Sequence, residues 1–171
     1  GGWKWGGKGN TRIYQNPTLA ANGWTQVGQD ISGTAADDRE GISVSLSSDG
    51  TVFATSAFYN DGNGSKSGKV RIFENQDISG NWTQVGEDIY GEAENDYFGG
   101  TVALSSDGST FVSGSSGSDV NGTNAGSVRA FSITIPPPPE PSISSYTSNT
   151  VSYNTNEAIA DNSPTATQNP T

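Results

Sequence analysis

The chain has 171 residues and a formal net charge of −10, from eight basic and eighteen acidic side chains. So few lysines and arginines predict no binding to nucleic acid, because affinity for phosphates needs a basic surface. The absence of Cys and His excludes disulfides, Cys/His zinc sites and Cys or His nucleophiles. No apolar run is long enough to span a bilayer, so the sequence predicts no membrane insertion.

The composition favours short strands joined by tight turns. Hydrophobic residues make up only 30% of the chain, and 23 residues are glycine. Runs of good helix formers are scarce, and Ser, Thr, Asn and Asp fill much of the remainder. We therefore predict an all-β protein.

The chain divides into five predicted segments. In chain order, they are a glycine-rich start that ends in the last strand of a preceding repeat (1–23), repeat 1 (24–81), repeat 2 (82–135), a polyproline linker (136–141) and an extended tail rich in Ser, Thr and Asn (142–171). The tail is either disordered or adds as a strand to another subunit, with Ile143, Val151 and Tyr153 as its best anchors.

An internal repeat organises most of the chain. The run Trp24-Thr25-Gln26-Val27-Gly28 recurs as Trp82-Thr83-Gln84-Val85-Gly86, an offset of 58 residues. Between 24–73 and 82–131, 25 of 50 aligned positions are identical, so we expect the two segments to share one structure. Thr11-Arg12-Ile13-Tyr14 resembles Val70-Arg71-Ile72-Phe73, which predicts the last strand of a preceding unit.

Each repeat contains four predicted strands. In repeat 1 they cover Thr25–Ile31, Ile42–Ser47, Thr51–Ala57 and Lys69–Glu74. Val44 and Leu46 alternate with serines, as in a half-buried strand, and Asp49-Gly50 is typical of a tight hairpin. The fold class is therefore tandem four-stranded antiparallel sheets, like β-propeller blades, in a partial or open array that strand exchange between subunits would complete.

The repeat resembles the FG-GAP repeats of integrin α-subunit β-propellers, over about residues 11–135. The Phe-Gly element stands as Phe98-Gly99 in repeat 2 and as Glu40-Gly41 in repeat 1. The Gly-Ala-Pro element of the motif is replaced by Ser56-Ala57-Phe58 in repeat 1 and by Gly114-Ser115-Ser116 in repeat 2. The resemblance implies extracellular display, adhesion or scaffolding.

Two glycine-rich loops are candidate calcium sites. Calcium takes six to eight oxygen ligands, and Asp61 with Asn63, and Asp119 with Asn121, supply some of them. The alternative is that these residues only form turns. No cofactor is required by the sequence, and calcium is the one that it allows.

Three sequons for N-glycosylation are present, at Asn63, Asn81 and Asn121. Asn63 and Asn121 are equivalent positions in the two repeats, where a surface loop would accept a glycan. A glycan on Asn63 would crowd the candidate calcium loop, so the two hypotheses compete there.

Other recurring residues have structural interpretations. Trp24 and Trp82 are expected to pack between sheets, with a sugar-binding platform as the alternative. Arg71 and Arg129 are expected to form salt bridges with Asp38 and Asp96. Carboxylate pairs such as Asp37-Asp38 are interpreted as solvated turns, so no catalytic residue is predicted.

The predicted function is that of a non-catalytic structural or interaction protein at the cell surface or outside the cell. Two units and a fragment are too few for a closed propeller, which predicts head-to-tail β-strand pairing with copies of itself and a role in a surface appendage or fibre. The alternatives are a calcium-dependent adhesion module, a glycan-binding module and a polysaccharide-active enzyme of the propeller type.

Overall fold

The computed structural model describes residues 7–76, 78 and 80–135. Two predicted segments lie outside the described residues: the linker (136–141) and the tail (142–171) with its anchors Ile143, Val151 and Tyr153. Within the described part, every regular element is a strand, so the all-β prediction is confirmed.

The described part of the chain forms ten strands. They are β1 (Asn10–Gln15), β2 (Thr25–Ser32), β3 (Val44–Leu46), β4 (Val52–Ala57), β5 (Lys69–Glu74), β6 (Thr83–Gln84), β7 (Ile89–Tyr90), β8 (Phe98–Leu104), β9 (Thr110–Ser115) and β10 (Ser127–Ser132). The strand predicted at Lys69–Glu74 matches β5 at both ends. The strand predicted at Ile42–Ser47 forms only over Val44–Leu46.

The strands assemble into three antiparallel sheets. The first sheet is the pair β1-β2, and the last is β8-β9-β10. The middle sheet has the order β3-β4-β5-β6, and β7 continues the edge by pairing with β5. This series of separate antiparallel sheets confirms the predicted partial array.

The sheets are out of phase with the sequence repeat by one strand. β6 and β7 open the second repeat, yet they pair with β5 of the first, with Phe73 opposite Gln84 and Lys69 opposite Tyr90. The pair β1-β2 has the same register, with Tyr14 opposite Gln26. The first strand of each repeat therefore completes the preceding sheet, which the sequence analysis did not foresee.

The predicted Asp49-Gly50 hairpin is confirmed, and Asp107-Gly108 forms the equivalent hairpin in the last sheet. Gly50 has φ of 77° and Gly108 has φ of 73°, values that glycine adopts without strain. The Asp49 carboxylate accepts hydrogen bonds from Ser47 Oγ (2.6 Å) and from the Thr51 amide (3.0 Å). Asp107 makes the equivalent bonds in the last sheet, so local polar contacts define both turns.

The core lies between the sheets, on both faces of the middle one. One face carries Phe53 and Phe73, which pack with Val27 and Ile31 of the first sheet. The other face carries its own set of buried side chains. It packs Val52, Ala54, Val70 and Ile72 against Phe98, Val102 and Phe111 of the last sheet. Since each large apolar side chain contributes roughly 1.5–3 kcal/mol on burial, the stability depends on sheet-on-sheet contact.

Close approach between sheets makes Gly68 sensitive to substitution. Gly68 has φ of 83°, and a Cβ atom there would lie 2.1 Å from the Phe98 carbonyl oxygen. We expect Gly68→Ala to lower the free energy of unfolding by about 2–3 kcal/mol, from backbone strain and overpacking together. The equivalent Gly126 has φ of 76° and no non-bonded atom nearer than 3.5 Å, so Gly126→Ala should cost about 1 kcal/mol. Urea unfolding of the two variants at low protein concentration tests the difference, and equal losses would contradict it.

Candidate functional site

Two apolar flanks of the sheet series stay exposed. The leading flank consists of four apolar residues that are 51–90% exposed: Leu19 and Trp24 in the connection between β1 and β2, and Val44 and Leu46 on β3 of the middle sheet. The trailing flank is the outer face of the last sheet. It consists of Thr101, Ala103, Val112, Gly114, Val128 and Ala130. Single exposed apolar residues are common, but clustered ones mark interaction surfaces.

The trailing flank repeats a face that is covered elsewhere in the chain. Val112 and Val128 occupy the positions of Ala54 and Val70, shifted by 58 residues. Ala54 and Val70 are fully buried under the last sheet, whereas Val112 is 38% and Val128 73% exposed. The same strand face is therefore core in the middle sheet and surface in the last sheet.

An open cavity of about 560 Å³ lies at one end of the trailing flank. Its lining includes Gly114, Ser115, Gly126 and Val128. The equivalent place on the middle sheet holds Phe98-Gly99, where Ser56 Oγ donates a hydrogen bond of 2.6 Å to the Gly99 carbonyl oxygen. The cavity has the position that a Phe-Gly or Glu-Gly turn occupies between the described sheets.

The two recurring tryptophans have different environments. Trp82 is 3% exposed, donates from Nε1 to the Val27 carbonyl oxygen (3.0 Å) and meets the Phe53 ring edge-on at 4.7 Å. Trp24 is 65% exposed. Packing between sheets is therefore confirmed for Trp82 and wrong for Trp24, because no described sheet covers Trp24.

The predicted partners of the two arginines were wrong. Arg71 Nη2 lies 2.8 Å from Glu40 Oε2, and Arg129 Nη1 lies 3.3 Å from Glu92 Oε1. Asp38 instead accepts the Thr34 and Ala35 amides, at 2.9 and 2.7 Å. Asp38 is only 2% exposed, so the solvated-turn interpretation was also wrong for it.

Sequence reasoning missed a buried lysine. Lys69 is 1% exposed, and its Nζ atom contacts Asp88 Oδ2 (3.1 Å) and Thr34 Oγ1 (3.1 Å). Its position in β5 next to Val70 indicated a half-buried strand residue. Its partner Asp88 lies between β6 and β7 of the next repeat, and the local sequence around Lys69 could not indicate that contact.

The candidate calcium loops form tight turns. Asp61 Oδ1 accepts the Lys66 amide at 2.8 Å, and Asp119 Oδ1 accepts the Asn124 amide at 2.6 Å. Asn63 Nδ2 donates to the Gly91 carbonyl oxygen at 2.8 Å. In the described part of the chain, no group of three acidic side chains is placed to hold a metal ion. Calcium binding through Asp61, Asn63, Asp119 and Asn121 stays a prediction.

The three sequon asparagines, Asn63, Asn81 and Asn121, are all exposed. A glycan on Asn63 would replace one of the Nδ2 hydrogens, and the Asn63 amide contacts both Gly91 O and Glu92 O. Asn81 and Asn121 lie in surface loops. Glycosylation of all three stays a prediction.

Five aspartates with lowered pKa values give the fold an acid-sensitive electrostatic component: Asp30, Asp38, Asp49, Asp88 and Asp107. Hydrogen bonds from Arg12 and Gln26 lower the pKa of Asp30 from 3.8 to about 2. Hydrogen bonds from Ser105 and Ser109 lower the pKa of Asp107 to about 2. Burial alone raises the pKa values of Asp38 and Asp88, but their hydrogen bonds outweigh it, so both pKa values lie below 3.8.

Because these pKa values are lower in the folded chain than in the unfolded chain, the aspartates stabilise the fold above about pH 4. That contribution is lost as the pH falls toward about 2, through the folded-state values. We expect the urea midpoint to be level from neutral pH to about pH 5 and to fall below about pH 4. A midpoint that rises on acidification over that range would contradict this assignment.

No helix in the described residues is long and apolar enough to cross a membrane. In comparisons with known proteins, no protein-family model and no curated protein matches the chain. The two exposed flanks are the features of the structure that bear on function.

Proposed function

We propose that this chain is a non-catalytic, extracellular structural or interaction protein that assembles head to tail with copies of itself, as a subunit of a surface appendage or fibre. The sheets would correspond to propeller blades of the FG-GAP type in an open array. One observation carries the proposal: Val112 and Val128 on the outer face of the last sheet are exposed, although Ala54 and Val70 at the equivalent positions of the middle sheet are fully buried.

The edges of the last sheet support the same proposal. β10 pairs with β9 on one edge, and no described strand pairs with its other edge. In the middle sheet the equivalent strand, β5, is paired on both edges. An unpaired strand edge beside an exposed apolar face is a template for a further strand. Because the leading and trailing flanks differ, their contact is heterologous and extends into a ring or a filament.

Self-association tests the proposal directly. Sedimentation velocity and electron microscopy of the full chain, from low to high micromolar concentration, are expected to show oligomers that grow with concentration. A single monomeric species over that range would overturn the proposal.

The salt dependence gives a second readout. Copies that each carry a net charge of −10 repel one another, and salt shortens the Debye length from about 10 Å at 0.1 M to about 3 Å at 1 M. Since apolar area and backbone hydrogen bonds would hold the contact, association should strengthen as NaCl rises. Association that weakens with salt would instead indicate a contact held by opposite charges.

A further inference from the structure

Resting on this proposed function, we infer that the contact between copies reproduces the contact between the two units inside the chain, with Trp24 of one copy filling a pocket formed by Val85, Gly86, Phe111 and Phe131 of the copy before it. We call this set the tryptophan pocket. Its occupant is a second copy of this chain, because the leading flank carries Trp24, the equivalent of Trp82, and Trp82 fills the corresponding pocket within one molecule.

The internal contact supplies the geometry. Trp82 packs on Val27, Phe53 and Phe73, which are equivalent to Val85, Phe111 and Phe131. Val27 is 3% exposed under Trp82, whereas Val85 is only half-buried. Trp24 is exposed at the leading flank. At the last sheet, Val85 and Phe131 are half-buried, whereas Phe111 is 1% exposed, with Ile133 and Ile135 packed against its cluster. Each molecule thus carries an exposed Trp24 and a partly open edge that matches the site of Trp82.

Two pairs of equivalent glycines show the same difference between a filled and an open site. A Cβ atom on Gly28 would lie 2.7 Å from Trp82 Cδ1, and one on Gly64 would lie 3.2 Å from Glu94 Cβ. The equivalents, Gly86 and Gly122, keep the left-handed backbone, with φ of 70° and 125°, and have no atom within 4 Å of such a Cβ. The backbone at Gly86 and at Gly122 thus keeps the conformation that accommodates a following unit at Gly28 and at Gly64.

The cavity on the trailing flank would receive the Glu40-Gly41 turn of the second copy. Inside one chain, Glu40 N donates to the Lys8 carbonyl oxygen and Gly9 bridges to Glu40. In the next unit, Phe98 N donates to Ser67 O and Gly68 bridges to Phe98. Ala125 and Gly126 are the equivalents of Ser67 and Gly68 in the second repeat. They would make the same hydrogen bond and the same β-bridge to Glu40 of the second copy.

The contact between copies requires an exchange of strands. β1 and β10 are equivalent, and only one of them can pair with a given β2, so β10 of one copy would replace β1 of the other. In this exchange β1 is the strand that leaves. In β10, Phe131 stacks on Phe111 at 4.8 Å, and β9 pairs with all six residues of the strand. In β1, Tyr14 is 47% exposed, and β2 pairs with five of the six residues of the strand, with a register shift between Thr11 and Ile13. The exchange keeps the number of strand pairings nearly constant.

A pair of engineered cysteines tests the contact on the full chain, which has no cysteine of its own. Gly64 and Glu94 mark where two Cβ atoms approach within 3.2 Å inside one molecule, close to the Cβ separation of about 3.5–4.5 Å in disulfides. Their equivalents are Gly122 on one copy and Ala36 on the next. The variant Gly122→Cys/Ala36→Cys should form a ladder of disulfide-linked oligomers under mild oxidation.

Matched controls make the result specific. Gly64→Cys/Glu94→Cys has the same backbone conformation at the glycine and should close within one chain, giving an oxidised monomer. A mixture of the single variants Gly122→Cys and Ala36→Cys should give mostly heterodimers, while neither single variant alone forms more than traces of dimer.

Substitution of Trp24 adds an independent readout. Trp24→Ala should weaken association at least tenfold without changing the circular dichroism, since Trp24 is exposed in the single molecule. Tyr14→Ala, in the strand that leaves, should not weaken it. If the unmodified chain assembles but the Gly122–Ala36 pair stays reduced, this contact is wrong and the proposed function survives. If the unmodified chain stays monomeric, whether its own tail covers the trailing flank or nothing does, both this contact and the proposed function are wrong.

Discussion

Replacing Trp82 with alanine is expected to lower the free energy of unfolding by about 3–5 kcal/mol, the range for large aromatic side chains removed from a core. Trp82 is 3% exposed and closes the cluster between the first and middle sheets. The substitution removes the edge-on contact with Phe53 and the Nε1 hydrogen bond to Val27 O. It also leaves a cavity that the backbone around Gly28 and Gly80 cannot readily fill.

Trp24→Ala is the matched control for that variant. Both tryptophans stand in the same run, Trp-Thr-Gln-Val-Gly, so local propensity and the composition of the unfolded chain change equally. With Trp24 65% exposed, its loss should cost less than about 0.5 kcal/mol, as is usual for surface substitutions. Urea unfolding followed by circular dichroism at low protein concentration measures both. Equal losses of unfolding free energy would contradict the difference in burial between Trp82 and Trp24.

The same pair of tryptophans shows how far the sequence could predict the fold. Strand β5 and the Asp49-Gly50 hairpin follow from local patterns of alternation and turn chemistry, and both were predicted. The burial of a tryptophan depends instead on whether a neighbouring sheet covers it, and identical local sequences leave that open. The phase of the sheets was missed for a similar reason, since β6 pairs with β5 across the repeat boundary.

The candidate site was predictable only in outline. The count of units indicated unfinished sheets and partners of the same kind, but not the surface concerned. Locating the trailing flank required knowing that Val70 is covered, since only then does its equivalent, Val128, stand out as uncovered. The packing of sheets brings Glu40 to Arg71. The pairing of β5 with β6 and β7 across the repeat boundary brings Asp88 to Lys69.

The buried ion pair of Glu40 and Arg71 is the second site where one substitution should have a large effect. Glu40 is 4% exposed, accepts the Thr55 hydroxyl hydrogen at 2.8 Å and contacts Arg71 at 2.8 Å. Glu40→Ala would leave Arg71, which is 9% exposed, as a buried charge without its carboxylate. Removing one partner of such a pair costs about 3–5 kcal/mol, which urea unfolding would detect as a large fall in the midpoint.

Repeat 2 supplies the compensating change for that variant. At the position of Glu40 it has Phe98, the guanidinium of Arg129 lies 4.2 Å from the centre of the Phe98 ring, and Glu92 at the position of Thr34 pairs with Arg129. The double variant Glu40→Phe/Thr34→Glu copies this arrangement around Arg71. We expect it to recover at least about 2 kcal/mol relative to Glu40→Ala, through ring stacking and a new carboxylate partner. If the double variant is no more stable than Glu40→Ala, the two units do not offer interchangeable environments to their arginines, and the equivalence that underlies the contact between copies fails at this position.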